Sequence, residues 1–149
     1  MNQEPLVRFS VARAGWLPLE IAADGKQLNF TVSAVPNDFL AELAGALIAI
    51  LSGMTRAEAV MNQEPEQVEL IFSFEGDQEM LEIRCYRDHR RQKRSVAAQL
   101  VVHASRQGLT RSFWRALCEL QGSVDAEEFA QDWGHPFPAY QVQSLSEFL

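Results

Sequence analysis

Hydrophobic and polar residues alternate with period two in six separate stretches of the chain, and each alternation predicts a strand with one apolar face. In the first, Val7, Phe9 and Val11 share a face opposite Arg8, Ser10 and Ala12. Leu17, Leu19 and Ile21 repeat the pattern opposite Trp16, Pro18 and Glu20. The turn Asp24-Gly25 then leads to Leu28, Phe30 and Val32, set against Asn29, Thr31 and Ser33. Pro18 has no N–H to give to a ladder, which predicts that the second strand lies at a sheet edge or carries a bulge.

The period changes after Val35. Asn37-Asp38 offers a helix N-cap, and Phe39, Leu40, Leu43, Leu47, Ile48 and Leu51 recur at helical spacing until Gly53. Ala44, Ala46 and Ala49 leave little polar face, so this helix is expected to be largely buried. Residues 54–66 read as a connector, with Thr55–Met61 suited to an added helical turn. Alternation returns at Val68, Leu70, Phe72 and Phe74, then after Gly76-Asp77 at Leu81, Ile83 and Cys85, and again at Val96, Ala98, Leu100 and Val102. Leu109, Phe113, Leu117 and Leu120 mark a second helix ending at Gly122. A third, short one starts at Asp125, which has capping-box spacing to Glu128, and stops before Gly134 and the prolines Pro136 and Pro138.

This order reads as β-β-β-α twice, followed by a C-terminal short helix and tail. The pentapeptide MNQEP stands at 1–5 and again at 61–65, each before a predicted strand. Pseudo-repeats at 1–53 and 61–122 with an extension at 123–149 would account for it, and coincidence would too. The expected fold is a single α+β domain over residues 1–149, a two-layer sandwich with a six-stranded, mostly antiparallel sheet and two main helices on one face. Its other face would carry Arg8, Glu20, Asn29, Thr31, Ser33, Glu69, Ser73, Glu82, Arg84, Tyr86, Gln99 and His103, as either a solvated face or a working surface.

Composition sharpens this in one respect. The chain has 149 residues, 47% hydrophobic and 22% charged, with a net charge of −7, so a folded acidic body is expected that repels nucleic acid and anionic membrane. No nucleic-acid or membrane partner is expected. Cys85 and Cys118 have no CxxC spacing and sit among apolar neighbours, as buried thiols in a reducing compartment do. The opening MNQEPLVRFS lacks the basic and apolar regions of a signal peptide, and the longest apolar stretch, Leu43–Leu51, is far short of the roughly 20 residues that span a bilayer. A cytoplasmic protein is expected.

Chemistry is sparse. His89, His103 and His135 are widely separated and the paired Cys/His spacing of a zinc site is absent, so no metal is expected. There is no GxSxG elbow and no glycine-rich phosphate loop. No catalytic residue is assigned and no cofactor is expected, although distant residues can still assemble a triad. The motifs weigh against an enzyme.

Charge distribution says more. Residues 64–82 hold seven acids and no Lys or Arg, whereas the stretch 84–94, RCYRDHRRQKR, carries +5, leaving −12 on the rest of the −7 chain. Arg84, Arg87, Arg90, Arg91, Lys93 and Arg94 thus form a basic hairpin loop. It is either a solvated turn, a docking point for an acidic protein or a second copy, or a phosphate site that the acidic body opposes. Trp133 and Phe137, in the stiff stretch Trp133-Gly134-His135-Pro136-Phe137-Pro138, either plug the core or anchor a partner, and Trp16 faces away from Leu17 and Leu19.

The leading expectation is a non-enzymatic protein-binding module, an immunity-like inhibitor or a regulatory domain, that uses Arg84, Arg87, Arg90, Arg91, Lys93, Arg94, Trp16, Trp133 and Phe137. The alternative is a small-molecule-binding protein or enzyme with a cleft between the sheet and the C-terminal segment, lined by Trp16, Glu20, Glu82, His103 and His135. Homodimerisation through the outer sheet face or an edge strand is a third. The segments GWLPLEI, VPNDFLAELAGALIAIL, NQEPEQVEL and WGHPFPAY resemble a group of small uncharacterised bacterial single-domain proteins. That resemblance implies a bacterial origin and one compact domain, and nothing of mechanism.

Overall fold

The computed structural model describes residues 4–88 and 97–149. Its elements are β1 (Leu6–Phe9), β2 (Trp16–Ala23), β3 (Lys26–Ser33), α1 (Phe39–Leu51), β4 (Arg56–Asn62), β5 (Gln67–Glu75), β6 (Gln78–Tyr86), β7 (Ala97–Ser105), α2 (Gly108–Ser123), α3 (Ala126–Trp133) and α4 (Ala139–Ser146). The seven strands form one antiparallel meander in chain order, β1 to β7, and the protein is α+β.

The alternation sets which face is buried. Leu19 lies between Phe9 and Phe30, and Ile21 between Val7 and Leu28, while in the second half Leu70 lies between Ala59 and Ile83. These residues join one hydrophobic core with Phe39, Leu43 and Leu47 of α1, Phe113 and Leu117 of α2, Phe129 and Trp133 of α3, and Val142 and Leu145 of α4. Phe72 and Phe113 meet edge to face at 5.3 Å across the sheet–helix boundary, a geometry that aromatic quadrupoles favour.

Three expectations are corrected. The sheet has seven strands because residues 56–62, read as a connector with a helical turn, pair with β5 along their whole length. Arg, Ala, Glu and Met are helix formers, but here Ala57, Ala59 and Met61 alternate onto the core face, and the small side chains of Ala57 and Ala59 let α1 lie close against β4. The element order is therefore β-β-β-α followed by β-β-β-β-α, and the second MNQEP ends β4 and enters the β4–β5 turn, where Gln63 N–H donates to Glu66 O. The tail also holds a fourth helix, α4, which buries Val142 and Leu145 but leaves Tyr140 82% exposed, so Tyr140 is not part of the packing.

Pro18 lies within β2, an interior strand, not an edge. Its carbonyl accepts Ser10 N–H at 3.0 Å, it has no N–H to return, and β1 ends one residue earlier. Between Ile83 and Arg84 the β6–β7 register shifts, so Ala97, not Ala98, pairs with Cys85, while Val96 lies outside the described residues.

The helix starts follow their caps. Asp38 accepts Ala41 N–H and Asp125 accepts Glu128 N–H, at the positions the sequence predicts. At α2 the N-cap residue Gln107 makes no side-chain cap bond. The Glu79 carboxylate of β6 takes that place from across the sheet, accepting Leu109 N–H at 2.9 Å and Thr110 N–H at 3.3 Å.

Candidate functional site

The sheet is nearly divided between β3 and β4, which share one residue pair, Ser33 with Asn62. On either side of that pair, side chains replace the missing ladder. Gln63 Oε1 accepts Thr31 N–H at 3.1 Å, and Glu42 Oε1, from α1, accepts Val60 N–H at 2.8 Å. Asn37 Nδ2 donates to Val60 O and to Glu42 Oε2, Asn62 donates to Asn37 Oδ1, and Gln67 Nε2 donates to Asn62 Oδ1 at 2.8 Å. Main-chain groups that lack a ladder partner at the seam are satisfied in this way.

Beside this seam lies an open cavity of about 500 Å³, lined by Val35, Pro36, Asn62, Glu64, Pro65 and Gln67. Sequence reading missed it, because its residues come from two turns nearly 30 positions apart with no motif between them. Replacing Glu42 by alanine is expected to cost about 1–2 kcal/mol and to speed amide exchange at Val60, whereas Glu42→Gln keeps an acceptor and costs less. Hydrogen-exchange NMR on both variants checks this.

The residues nominated from the sequence fall in separate places. Arg84 stands opposite Glu69 in the β5–β6 register and grips Glu82 Oε2 through Nε at 3.1 Å and Nη2 at 2.8 Å. The Glu82 carboxylate beside it pushes the Arg84 guanidinium further above its ordinary pKa, so Arg84 stays charged. Tyr86 Oη donates to Glu69 Oε1 at 3.1 Å, and both side chains are buried although they belong to the outer face. Arg84 thus lies between Glu69 and Glu82. Arg87 is exposed, while His89, Arg90, Arg91, Lys93 and Arg94 lie outside the described residues.

The C-terminal stretch is a plug. Trp133 is fully buried, its indole N–H donating to Asp38 Oδ1 at 3.1 Å, so it is not free to anchor a partner. Phe137 is half-buried edge-on to Phe129, and the His135 ring hydrogen-bonds Ala34 O at 2.9 Å. Trp16 is half-buried opposite Ser33. Glu20 accepts from Gln27 and shares a shallow pocket with Arg8 and Asn29, whereas Glu82 is four strands away and His103 is exposed on β7. The five residues of the expected cleft therefore do not come together.

Cys85 and Cys118 are free and half-buried, and burial raises both thiol pKa values, which keeps them protonated. Among the described residues no three His, Cys, Asp or Glu side chains form a metal-ligand group, and no helix is long and apolar enough to cross a membrane.

The two ends of the meander differ. β1 has four residues, includes Arg8, follows Pro5, and is packed against α2, where Glu4 bonds Arg111 at 3.0 Å and reaches Arg115 at 3.7 Å. β7 has nine residues, AAQLVVHAS, without a formal charge, proline or glycine. Among the described residues its main chain pairs with β6 alone. Natural edge strands are commonly blunted by charge, proline, short length or a bulge, and of these β7 has the bulge, at the register shift opposite Ile83 and Arg84. Comparison with protein-family models, with curated proteins and with solved structures finds no match.

Proposed function

We propose that the protein is a non-enzymatic protein-binding module, an inhibitor or regulatory domain, that docks extended backbone along the outer edge of β7. The observation that carries this reading is the contrast between the covered edge at β1 and the long, uncharged edge at β7, which no other described residue pairs with. A free edge presents alternate N–H and C=O groups, so an incoming strand gains main-chain hydrogen bonds without needing a pocket. Gln99 and His103 are exposed and Val101 is half-exposed on the outer face, where they would select side chains of the incoming strand. Arg87, at the β7 end of β6, adds an exposed cation for an acidic partner.

A photo-crosslinking residue at Gln99 tests this, with the same residue at Glu128 on α3 as control. A protein adduct at Gln99 and not at Glu128 supports the reading; equal labelling, or none, removes it.

A second reading, small-molecule binding, is favoured by the cavity of about 500 Å³ at the seam, a volume within the usual ligand range. Its convergent polar groups are the Asn62 and Gln67 amides and the Glu64 carboxylate. Ligand-screening NMR with Asn62→Ala as the comparison separates it from the first.

A further inference from the structure

We infer that the cavity at the β3–β4 seam takes a small organic cation, an ammonium group carried on an apolar ring-sized body. This rests on the second reading above, small-molecule binding at the seam, and adds the chemical class of the ligand.

The amides behind the cavity have a fixed direction. The Glu42 carboxylate and the Val60 carbonyl only accept hydrogen bonds. Asn37 therefore turns Nδ2 to both, which leaves Asn37 Oδ1 to accept from Asn62 Nδ2. The same logic turns Asn62 Oδ1 toward Gln67 Nε2, which donates to it at 2.8 Å. Along this relay each amide has its nitrogen toward Glu42 and its oxygen away from it. Asn62 and Gln67, the outer two, line the cavity, so the negative ends of the aligned dipoles lie on its side.

Charge agrees with the dipoles. Among the described residues of the lining Glu64 alone ionises, and it is exposed and forms no ion pair with another described residue. From Glu64 to Glu82 the chain has no Lys or Arg. On the neighbouring strand Arg87 lies beyond Tyr86, the partner of Gln67, and is not part of the lining. An anion in the cavity would meet a carboxylate with no cation in the lining to offset it, whereas an ammonium meets an acceptor of opposite charge.

The walls set the rest of the ligand. Val35, Pro36 and Pro65 supply apolar surface, and Val35 is 57% exposed, a patch that an apolar body would cover. About 500 Å³ accommodates a ring system with a short chain. A ring against the prolines, with its ammonium at Glu64 and the amide oxygens, uses both halves of the lining.

Three probes that share an indole ring test this: tryptamine, tryptophol and indole-3-acetate, which carry an ammonium, a hydroxyl and a carboxylate. Chemical-shift titrations at low salt report site and affinity together. Tryptamine is expected to bind about fivefold more tightly than tryptophol, with indole-3-acetate weakest and the shifts centred on Val35, Asn62 and Gln67. Added salt should shrink the preference. Glu64→Gln should remove it, and Glu64→Lys should turn it toward indole-3-acetate. Glu64 is exposed, so both variants should keep the fold, and thermal melts provide the control. A merely structural effect would weaken all three probes alike.

If all three probes shift the seam residues with equal affinity, the charge inference falls and the cavity reading stands. If none shifts them, both fall. A tryptamine preference that survives Glu64→Lys, or whose shifts spread over the acidic surface, also overturns the inference.

Discussion

Replacing Trp133 by alanine is expected to destabilise the protein by about 4 kcal/mol, as emptying a tryptophan site in a packed core does. The indole is fully buried and closes the core where α3 meets the start of α1. It also carries a polar tie, since its N–H donates to Asp38, the residue that caps α1. Around it Gly15 N–H donates to Asp132 O at 2.7 Å, Ala34 N–H donates to Gly15 O, and His135 bonds Ala34 O, so three loops are fastened at one place. Trp133→Phe keeps most of the apolar volume and loses the hydrogen bond, and should cost about 1–2 kcal/mol. Urea denaturation followed by far-ultraviolet circular dichroism measures both. A loss below about 1 kcal/mol for the alanine variant would show that α3 contributes no closure.

The second large effect concerns Glu79. Glu79→Ala removes the acceptor for two N–H groups at the start of α2 and is expected to cost about 2 kcal/mol. Glu79→Gln keeps an oxygen in place. The two variants should therefore separate clearly in denaturant midpoint. Acidity adds a sign. Burial raises the Glu79 pKa above the ordinary 4.5, and the N–H groups of Leu109 and Thr110 offset only part of this. The folded protein thus holds the proton more tightly than the unfolded chain. The stability this contributes is complete below pH 4.5 and declines as pH rises through the folded pKa. Glutamine does not titrate, so its stability relative to wild type should improve as pH increases across that window. Denaturation curves for both proteins on either side of it measure the difference, and an unchanging difference would contradict the buried, titrating carboxylate.

Most strands and the first three helices were readable because their signals are local: period two, period near 3.6, and an Asp three residues before an N–H it caps. β4 was not, because Arg56, Ala57, Glu58 and Ala59 have helical propensity that only the neighbouring strand and α1 overrule. Glu79 looked like one more acid in an acidic hairpin. Its role depends on Leu109, 30 residues on, folding back across the sheet. The seam escaped for the same reason, since Asn37, Glu42 and Asn62 become one network only after α1 lies beside β4. In the Trp133 stretch the sequence left plug and anchor open, and burial decides for the plug. The place of β7 at the end of the sheet was invisible until strand order was known, because an uncharged strand reads the same inside a sheet as at its margin.

The meander has a consequence for how the chain acquires its structure. Every strand pairs with its neighbour in sequence, so apart from the β3–β4 connection, which carries α1, the ladder can grow hairpin by hairpin through local loop closures, which is the fast route in folding. The pairing of Glu4 with Arg111 instead joins residues 107 positions apart. During synthesis the sheet can thus be largely zipped while its apolar side still waits for α2, α3 and α4. Until the last forty or so residues emerge, that side is exposed to other chains. A truncation after β7 should therefore fail by aggregation rather than by loss of strand order.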